Sequence, residues 1–118
     1  MAAVTVTWFK PSKKGPGCGY PRVSVGKRSL DFNAEAVELL GMPSAVKIGV
    51  TSDGKLAVSP ADENDAEACR LTYRGWKKTY AVINRPRLAR MLASHGITGR
   101  HRLARSGEPG LFVGEPAN

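Results

Sequence analysis

Alternating apolar and polar residues are the main pattern along this chain of 118 residues, and they predict short β-strands. Two stretches follow the helical period instead, one after Asn33 and one after Asn84, and each is closed by a glycine, Gly41 or Gly96. The predicted strands are residues 4–9, 22–25, 30–32, 46–51, 55–59, 70–74, 79–83, 100–105 and 110–113. The sequence therefore predicts a mostly β protein with two short helices, of the α+β class.

Each predicted helix has a capping residue and an apolar stripe. Asn33 and Asn84 are expected to open the helices, because an asparagine side chain accepts hydrogen bonds from the free backbone amides of a first turn. The stripes consist of Ala36, Val37 and Leu40 in the first helix and of Leu88, Met91 and Leu92 in the second. Residues 10–21 are predicted to form a Gly- and Pro-rich loop, and residues 114–118 a frayed tail.

The order of elements occurs twice within one predicted domain, residues 1–118. Repeat one covers residues 1–60, an acidic connector residues 61–67, and repeat two residues 68–116. The paired positions are Phe32 with Ile83 and Val37 with Leu88 at a shift of 51, and Ile48 with Leu103, Leu56 with Leu111 and Val58 with Val113 at a shift of 55. Either the chain is an internal duplication, or two strand–helix–hairpin units look alike by chance.

The stretch at residues 27–60 carries a family resemblance. Its helix ends in Leu40-Gly41-Met42, and a hairpin with an Asp53-Gly54 turn follows. In these features it resembles the AbrB/SpoVT family of small bacterial DNA-binding domains, with a weaker second copy at residues 70–116. One position departs from the family, since its helix-opening proline is Asn33 in the first copy and Asn84 in the second.

The resemblance implies a fold and a set of binding residues. It implies a swapped-hairpin β-barrel in which two β-β-α-β-β units of one chain interlock as an intrachain pseudo-dimer. A unit of about 45 residues has too little core to stand alone, so two would share one. By position, the resemblance implies DNA contacts from basic residues on the strands and turns before each helix. These are Arg22, Lys27 and Arg28 in the first copy and Arg74, Lys77 and Lys78 in the second.

Charge points independently to a polyanionic partner. The chain has a formal net charge of +8, and residues 70–107 hold ten Lys or Arg and no Asp or Glu. Phosphate backbones are the polyanions that small proteins meet most often. Trp76 could stack on a base, and Arg87 and Arg90 form a like-charge pair on one helix that an anion would relieve. The alternatives are a merely solvated basic surface, and a core position for Trp76 and Tyr80.

The sequence contains little that indicates catalysis, metal binding or a disulfide. Neither His95 nor His101 has acidic or Cys neighbours at metal-ligand spacing, and no nucleophile–base–acid set is indicated, so we expect no catalytic residues, metal or cofactor. Cys18 and Cys69 are far apart and are interpreted as ordinary thiols. The chain has no apolar run of about 20 residues and no signal-peptide pattern, which favours a cytoplasmic protein, nucleoid-associated if it binds DNA.

Three functions remain open from sequence. The leading hypothesis is a small bacterial or phage DNA-binding protein that regulates transcription by contacting duplex phosphates. The second is a protein-interaction module that keeps the barrel, does not bind DNA, and recognises an acidic host or phage protein; the Asn33 and Asn84 departure favours it. The third is single-stranded nucleic-acid or RNA binding through Tyr73, Trp76 and Tyr80. Association of two chains is compatible with each hypothesis.

Overall fold

A computed structural model describes residues 20–76 and 79–117, and this part of the chain is mostly β with two helices. The strands are β1 (Arg22–Val25), β2 (Leu30–Phe32), β3 (Ala45–Val50), β4 (Leu56–Ala61), β5 (Ala68–Arg70), β6 (Thr72–Arg74), β7 (Tyr80–Ile83), β8 (Gly99–Arg105) and β9 (Phe112–Pro116). The helices are α1 (Ala34–Leu39) and α2 (Pro86–Ser94). The strand predicted at residues 4–9 and nearly all of the loop predicted at residues 10–21 lie outside the described residues.

All nine strands belong to one antiparallel sheet that is nearly closed into a barrel. Its order is β5-β3-β4-β9-β8-β1-β2-β7-β6. The two edge strands, β5 and β6, follow each other in the chain with only Leu71 between them, and the Leu71 amide donates to the Ser44 carbonyl at 2.9 Å. One bent segment therefore pairs with β3 through its first part and with β7 through its second part.

The core lies inside this barrel and is filled by alternate residues of the strands. Val23, Val25, Leu30 and Phe32 point inward from the first two strands, whereas the residues between them are partly or fully exposed. Further fully buried side chains are Val46, Leu56, Val58, Ile83 and Leu103 from other strands, Val37 from α1 and Ile97 from the segment after α2. The period-two alternation read from the sequence thus defines which face of the sheet is inside.

Half of the strand pairings among residues 20–76 and 79–117 join the two halves of the chain. β1 pairs with β8, β2 with β7, β3 with β5, and β4 with β9. The other four of these pairings lie within one half. The described strands of each half therefore form one sheet only together with strands of the other half.

The second hairpin corrects the predicted alignment of the halves. Buried Leu56 and Val58 of β4 correspond in burial to Phe112 and Gly114 of β9, a shift of 56 rather than 55. The reason is the turn, because Val50 pairs with Leu56 across five residues, whereas Arg105 pairs with Phe112 across six. The segment predicted to be a frayed tail is consequently strand through Pro116, and the Ala117 amide donates to the Arg100 carbonyl at 2.9 Å.

The start and the buried face of α2 also differ from the prediction. Asn84 does not cap this helix; Arg85 is the N-cap, without a side-chain hydrogen bond, and Pro86 is the first helical residue. Proline suits that position because its fixed φ is helical and its missing N–H would have no partner there. The departure from the family's helix-opening proline therefore concerns only the first helix. Met91 is 58% exposed, and Ala89 is buried beside Leu92 in its place.

No helix within the described residues is long and apolar enough to cross a membrane.

Candidate nucleic-acid interface

Strand register places three arginines in one row across the outer face of the sheet. Arg102 of β8 is directly opposite Arg22 of β1. The Arg22 amide donates a hydrogen bond to the side-chain oxygen of Asn33, the residue after β2. Phe32 lies opposite Ala81, so the next position on β7, Tyr80, lies opposite Asn33, and Arg74 of β6 is opposite Tyr80. We call Arg102, Arg22 and Arg74, with Asn33 and Tyr80 between them, the arginine row. It spans four strand spacings, about 19 Å along the curved sheet.

The closest charges in this row are those of Arg22 and Arg102. The Leu103 amide donates to the Pro21 carbonyl at 2.9 Å, which makes Pro21 and Leu103 a hydrogen-bonded pair of the β1–β8 ladder. Because antiparallel pairs alternate, Arg22 and Arg102 form a non-hydrogen-bonded pair, the geometry in which Cα atoms are only about 4.5 Å apart. The neighbouring residues on both strands point inward, so both guanidinium groups leave the sheet on its outer face.

Asn33 fixes the segment that carries Arg22. Its Oδ1 accepts from the Arg22 amide at 2.9 Å and from the Ala36 amide at 2.9 Å, and its Nδ2 donates to the Tyr20 carbonyl at 2.9 Å. One side chain thus caps α1 and holds the chain from Tyr20 to Arg22 against the end of β2. The Arg102 guanidinium in turn lies over the Tyr20 ring, 5.2 Å from its centroid, a cation–π arrangement that orients it.

At the far end of the row, two aromatic residues accompany Arg74. Trp76, in the turn between β6 and β7, is 94% exposed, and Tyr80 is 41% exposed. The core position considered for these two residues is therefore wrong. The Tyr80 ring packs against Gly75, where an added Cβ would lie 2.8 Å from a ring carbon; Gly75 also has a φ of +97°, so only glycine fits this turn well.

Tyr73, also considered for nucleic-acid stacking, faces the other way. It packs against the core, its hydroxyl donates to the Pro43 carbonyl at 2.5 Å, and burial raises the pKa of that hydroxyl. Its ring therefore faces the interior side of β6, and the exposed aromatic rings beside Arg74 in the described part of the chain are those of Trp76 and Tyr80.

Four other predicted residues that the structure describes, Lys27, Arg28, Arg87 and Arg90, lie away from the row. Lys27 and Arg28 are exposed in the β1–β2 turn, shortly before Leu30, which pairs with Ile83 at the end of β7. They share that end of the β2–β7 pair with the start of α2, which presents Arg87 and Arg90 to solvent. The first turn of α2 has no acidic residue, so its arginines add to the positive end of the helix dipole. Lys77 and Lys78 lie outside the described residues.

Among the described residues, no acidic side chain forms an ion pair with an arginine of the row. The ion pairs within residues 20–76 and 79–117 engage Lys47 with Asp65 at 3.7 Å, Arg70 with Glu63 at 3.7 Å, and Lys55 with Glu115 at 2.7 Å and Asp53 at 3.8 Å. The acidic connector therefore folds over β3 and β5, not over the row. Glu115 is opposite Arg102 in register, but its carboxylate is bound to Lys55, whose pKa it raises.

The described residues offer little for metal or thiol chemistry. They contain no group of three or more His, Cys, Asp or Glu side chains that could hold a metal ion. His101 is buried in β8, with its Nε2 3.0 Å from the Thr98 carbonyl oxygen. Cys69 is half-buried against the core.

Sequence reasoning missed Arg100 and Arg102 as site residues. Both belong to the basic segment at residues 70–107. The resemblance, however, implies contacts from the strands and turns before each helix, whereas β8 comes after α2. The signal that could have found them is the alternation in Gly-Arg-His-Arg-Leu-Ala-Arg, where His101 and Leu103 point inward and Arg100 and Arg102 outward. Their position beside Arg22, which comes from the other half of the chain, is a long-range pairing that local patterns do not encode.

Comparison with known proteins gives no relative: no family model, no curated protein and no solved structure matches this chain.

Proposed function

We propose that this chain binds double-stranded DNA through the outer face of its sheet and acts as a transcriptional regulator of the AbrB/SpoVT type. The observation that carries the proposal is the arginine row, in which Arg22, Arg74 and Arg102 have no ion-pair partner among the described residues. Closely spaced like charges on a sheet are unfavourable by themselves. A phosphate backbone would supply the compensating charge.

The proposed architecture is an intrachain pseudo-dimer of two β-β-α-β-β units. It is supported by the way strand pairings correspond when the halves are exchanged. Exchange of β1 with the β5–β6 segment, β2 with β7, β3 with β8 and β4 with β9 interconverts six of the eight pairings and leaves β2–β7 and β4–β9 unchanged. The turns before the two helices would then occupy equivalent places in the two units, with Lys27 and Arg28 in the β1–β2 turn and Trp76 in the β6–β7 turn, which follows Arg74 of β6.

The salt dependence of duplex binding tests the function. Six to eight phosphate contacts predict that affinity falls by roughly three to four decades between 50 and 200 mM salt, measured by fluorescence anisotropy with a short labelled duplex. The variant Arg74→Gln with Arg102→Gln should bind more weakly and with a shallower salt slope. Absence of binding to any duplex at the lower salt concentration would refute the proposal.

A matched control separates specific contacts from net charge. Lys47→Gln with Arg70→Gln also removes two positive charges, but both residues pair with the acidic connector. We expect this control to retain most of the duplex affinity. Equal losses in the two variants would mean that only the total charge matters and that the row is not the binding surface.

Single-stranded nucleic acid is the second candidate ligand, and the exposure of Trp76 beside Tyr80 and Arg74 favours it. Base–aromatic stacking contributes about 1–3 kcal/mol per base and does not require a duplex. Competition between duplex and single strand for the same protein distinguishes the two ligands. A preference for the single strand that Trp76→Ala abolishes would assign the row to unpaired nucleic acid.

A further inference from the structure

We propose that Arg22 and Arg102 together form a binding site for one phosphate group on the outer face of β1 and β8. This inference deepens the proposed function and rests on it for the phosphodiester as the natural source of that phosphate. The ligand chemistry itself, a tetrahedral oxyanion held by two guanidinium groups, follows from the local geometry alone.

Arg22 and Arg102 lie close together and have no acidic partner among the described residues. The two arginines form a non-hydrogen-bonded cross-strand pair, in which side chains approach most closely. Neither guanidinium has a carboxylate within ion-pair distance among the described residues, and the nearest acid in register, Glu115, is held by Lys55 at 2.7 Å. An anion placed between the two groups converts a repulsive contact into two charge-assisted hydrogen bonds.

Arg22 also carries a buried donor without an acceptor. Its Nε atom is buried and has no hydrogen-bond partner among the described residues. A buried donor without an acceptor costs about 1–3 kcal/mol, and more when the donor belongs to a charged group. Arginine presents Nε and Nη donors in a planar fork that matches two oxygens of a phosphate. A phosphate oxygen is the kind of acceptor that the described residues do not supply to this Nε.

The backbone of Arg22 and the guanidinium of Arg102 are both held in place. The Arg22 amide donates to Asn33 Oδ1 at 2.9 Å, and the Tyr20 ring centroid lies 5.2 Å from the Arg102 guanidinium carbon. The Arg102 side chain therefore starts from a defined place beside a fixed strand, which lowers the conformational entropy lost when an anion binds. In the neighbouring row, Ser24 of β1 is opposite Arg100 of β8 on one side and opposite Asp31 of β2 on the other. The acidic Asp31 ends the positive surface in that direction.

The test follows the arginine side chains directly, in the full-length protein. Inorganic phosphate is titrated while the Nε–H signals of the arginines are recorded by NMR. We expect saturable shifts of the Arg22 and Arg102 signals, lost in Arg102→Gln and kept in the control Arg87→Gln with Arg90→Gln, which removes exposed charges from α2. Shifts that do not saturate, or that are equal for all arginines, would mean non-specific charge screening and would overturn the site.

A second titration with a short DNA duplex identifies the source of the phosphate. Arg102→Gln should weaken duplex binding about tenfold and lower the salt slope by about one. If the variant binds the duplex as well as the unmodified protein does, the site is wrong while DNA binding stands. If inorganic phosphate saturates the site but no duplex binds, the site stands and the proposed function fails. Because Arg102 is exposed, its replacement should leave the fold intact.

Discussion

Asn33 links the first helix to the arginine row. Its amide oxygen accepts from both the Arg22 and Ala36 backbone amides, and its nitrogen donates to the Tyr20 carbonyl. Such a residue is usually described only as a helix cap, but here the same side chain also fixes the strand that carries Arg22. The start of α1 and the position of the proposed phosphate site therefore depend on one amide group.

Replacing Asn33 by alanine should lower the free energy of unfolding by about 2–3 kcal/mol, because it removes the cap and leaves a backbone donor of β1 without its acceptor. The matched control is Asn84→Ala, since Asn84 is exposed and does not cap α2. We expect the control to change stability by less than about 0.5 kcal/mol. Denaturant unfolding of both variants measures the difference, and equal effects would show that the hydrogen bonds of Asn33 are not important for stability.

Single-residue patterns predicted more at the first helix than at the second. Asn33 was expected to cap α1, and it does. Asn84 was expected to cap α2 by analogy, but the next two residues include Pro86, whose fixed φ and missing N–H make it the first helical residue. A proline at the first helical position is a stronger start signal than an asparagine two residues earlier, and the repeat alignment, which pairs Asn84 with Asn33, does not contain it.

At the scale of the element, α2 has a narrower buried face than its apolar residues suggest. Leu92 and Ala89 are buried, whereas the adjacent Met91 is 58% exposed. Hydrophobicity alone does not decide which of two neighbouring apolar residues faces the core. The direction of the helix after Pro86 decides it, and that direction depends on packing against the sheet.

Replacing Leu92 by alanine should destabilise the protein by about 2–4 kcal/mol, since it empties a fully packed position. Met91→Ala on the same helix should cost less than about 0.5 kcal/mol, because its side chain is mostly in water. Thermal or denaturant unfolding of the pair provides the measurement. A larger loss for Met91→Ala than for Leu92→Ala would contradict the burial of this helix.

Most strand positions and the hairpin around the Asp53-Gly54 turn were predicted correctly, whereas the pairings between the two halves were not assigned strand by strand. Alternation located β1, β2, β7 and β8 to within a residue, because it is encoded locally. The six-residue turn before β9 displaced that strand by one position relative to the repeat alignment. The arginine row depends on four pairings together, β1–β8, β1–β2, β2–β7 and β6–β7, and two of these, β1–β8 and β2–β7, join distant parts of the chain.

At the scale of the whole molecule, the two halves depend on each other for their hydrogen bonds. Four strand pairings cross from one half to the other. A fragment of either half would expose unpaired strand edges and half of a shared core. The arginine row itself combines Arg22 from the first half with Arg74 and Arg102 from the second.

We therefore expect that neither residues 1–66 nor residues 67–118 fold as a single copy, and that an equimolar mixture recovers the circular dichroism of the intact chain. Sedimentation of each fragment reports its association state alongside its spectrum. A fragment that is monomeric and unfolds cooperatively would contradict the interdependence of the halves.

The central claim is that the basic outer face of the sheet binds a nucleic-acid backbone. The most direct measurement is the mass of the particle in solution, by sedimentation, with and without a short DNA duplex at low and high salt. The chain of 12.6 kDa should form a defined complex with the duplex at low salt that dissociates as salt rises. An unchanged mass in the presence of the duplex at low salt would contradict the claim.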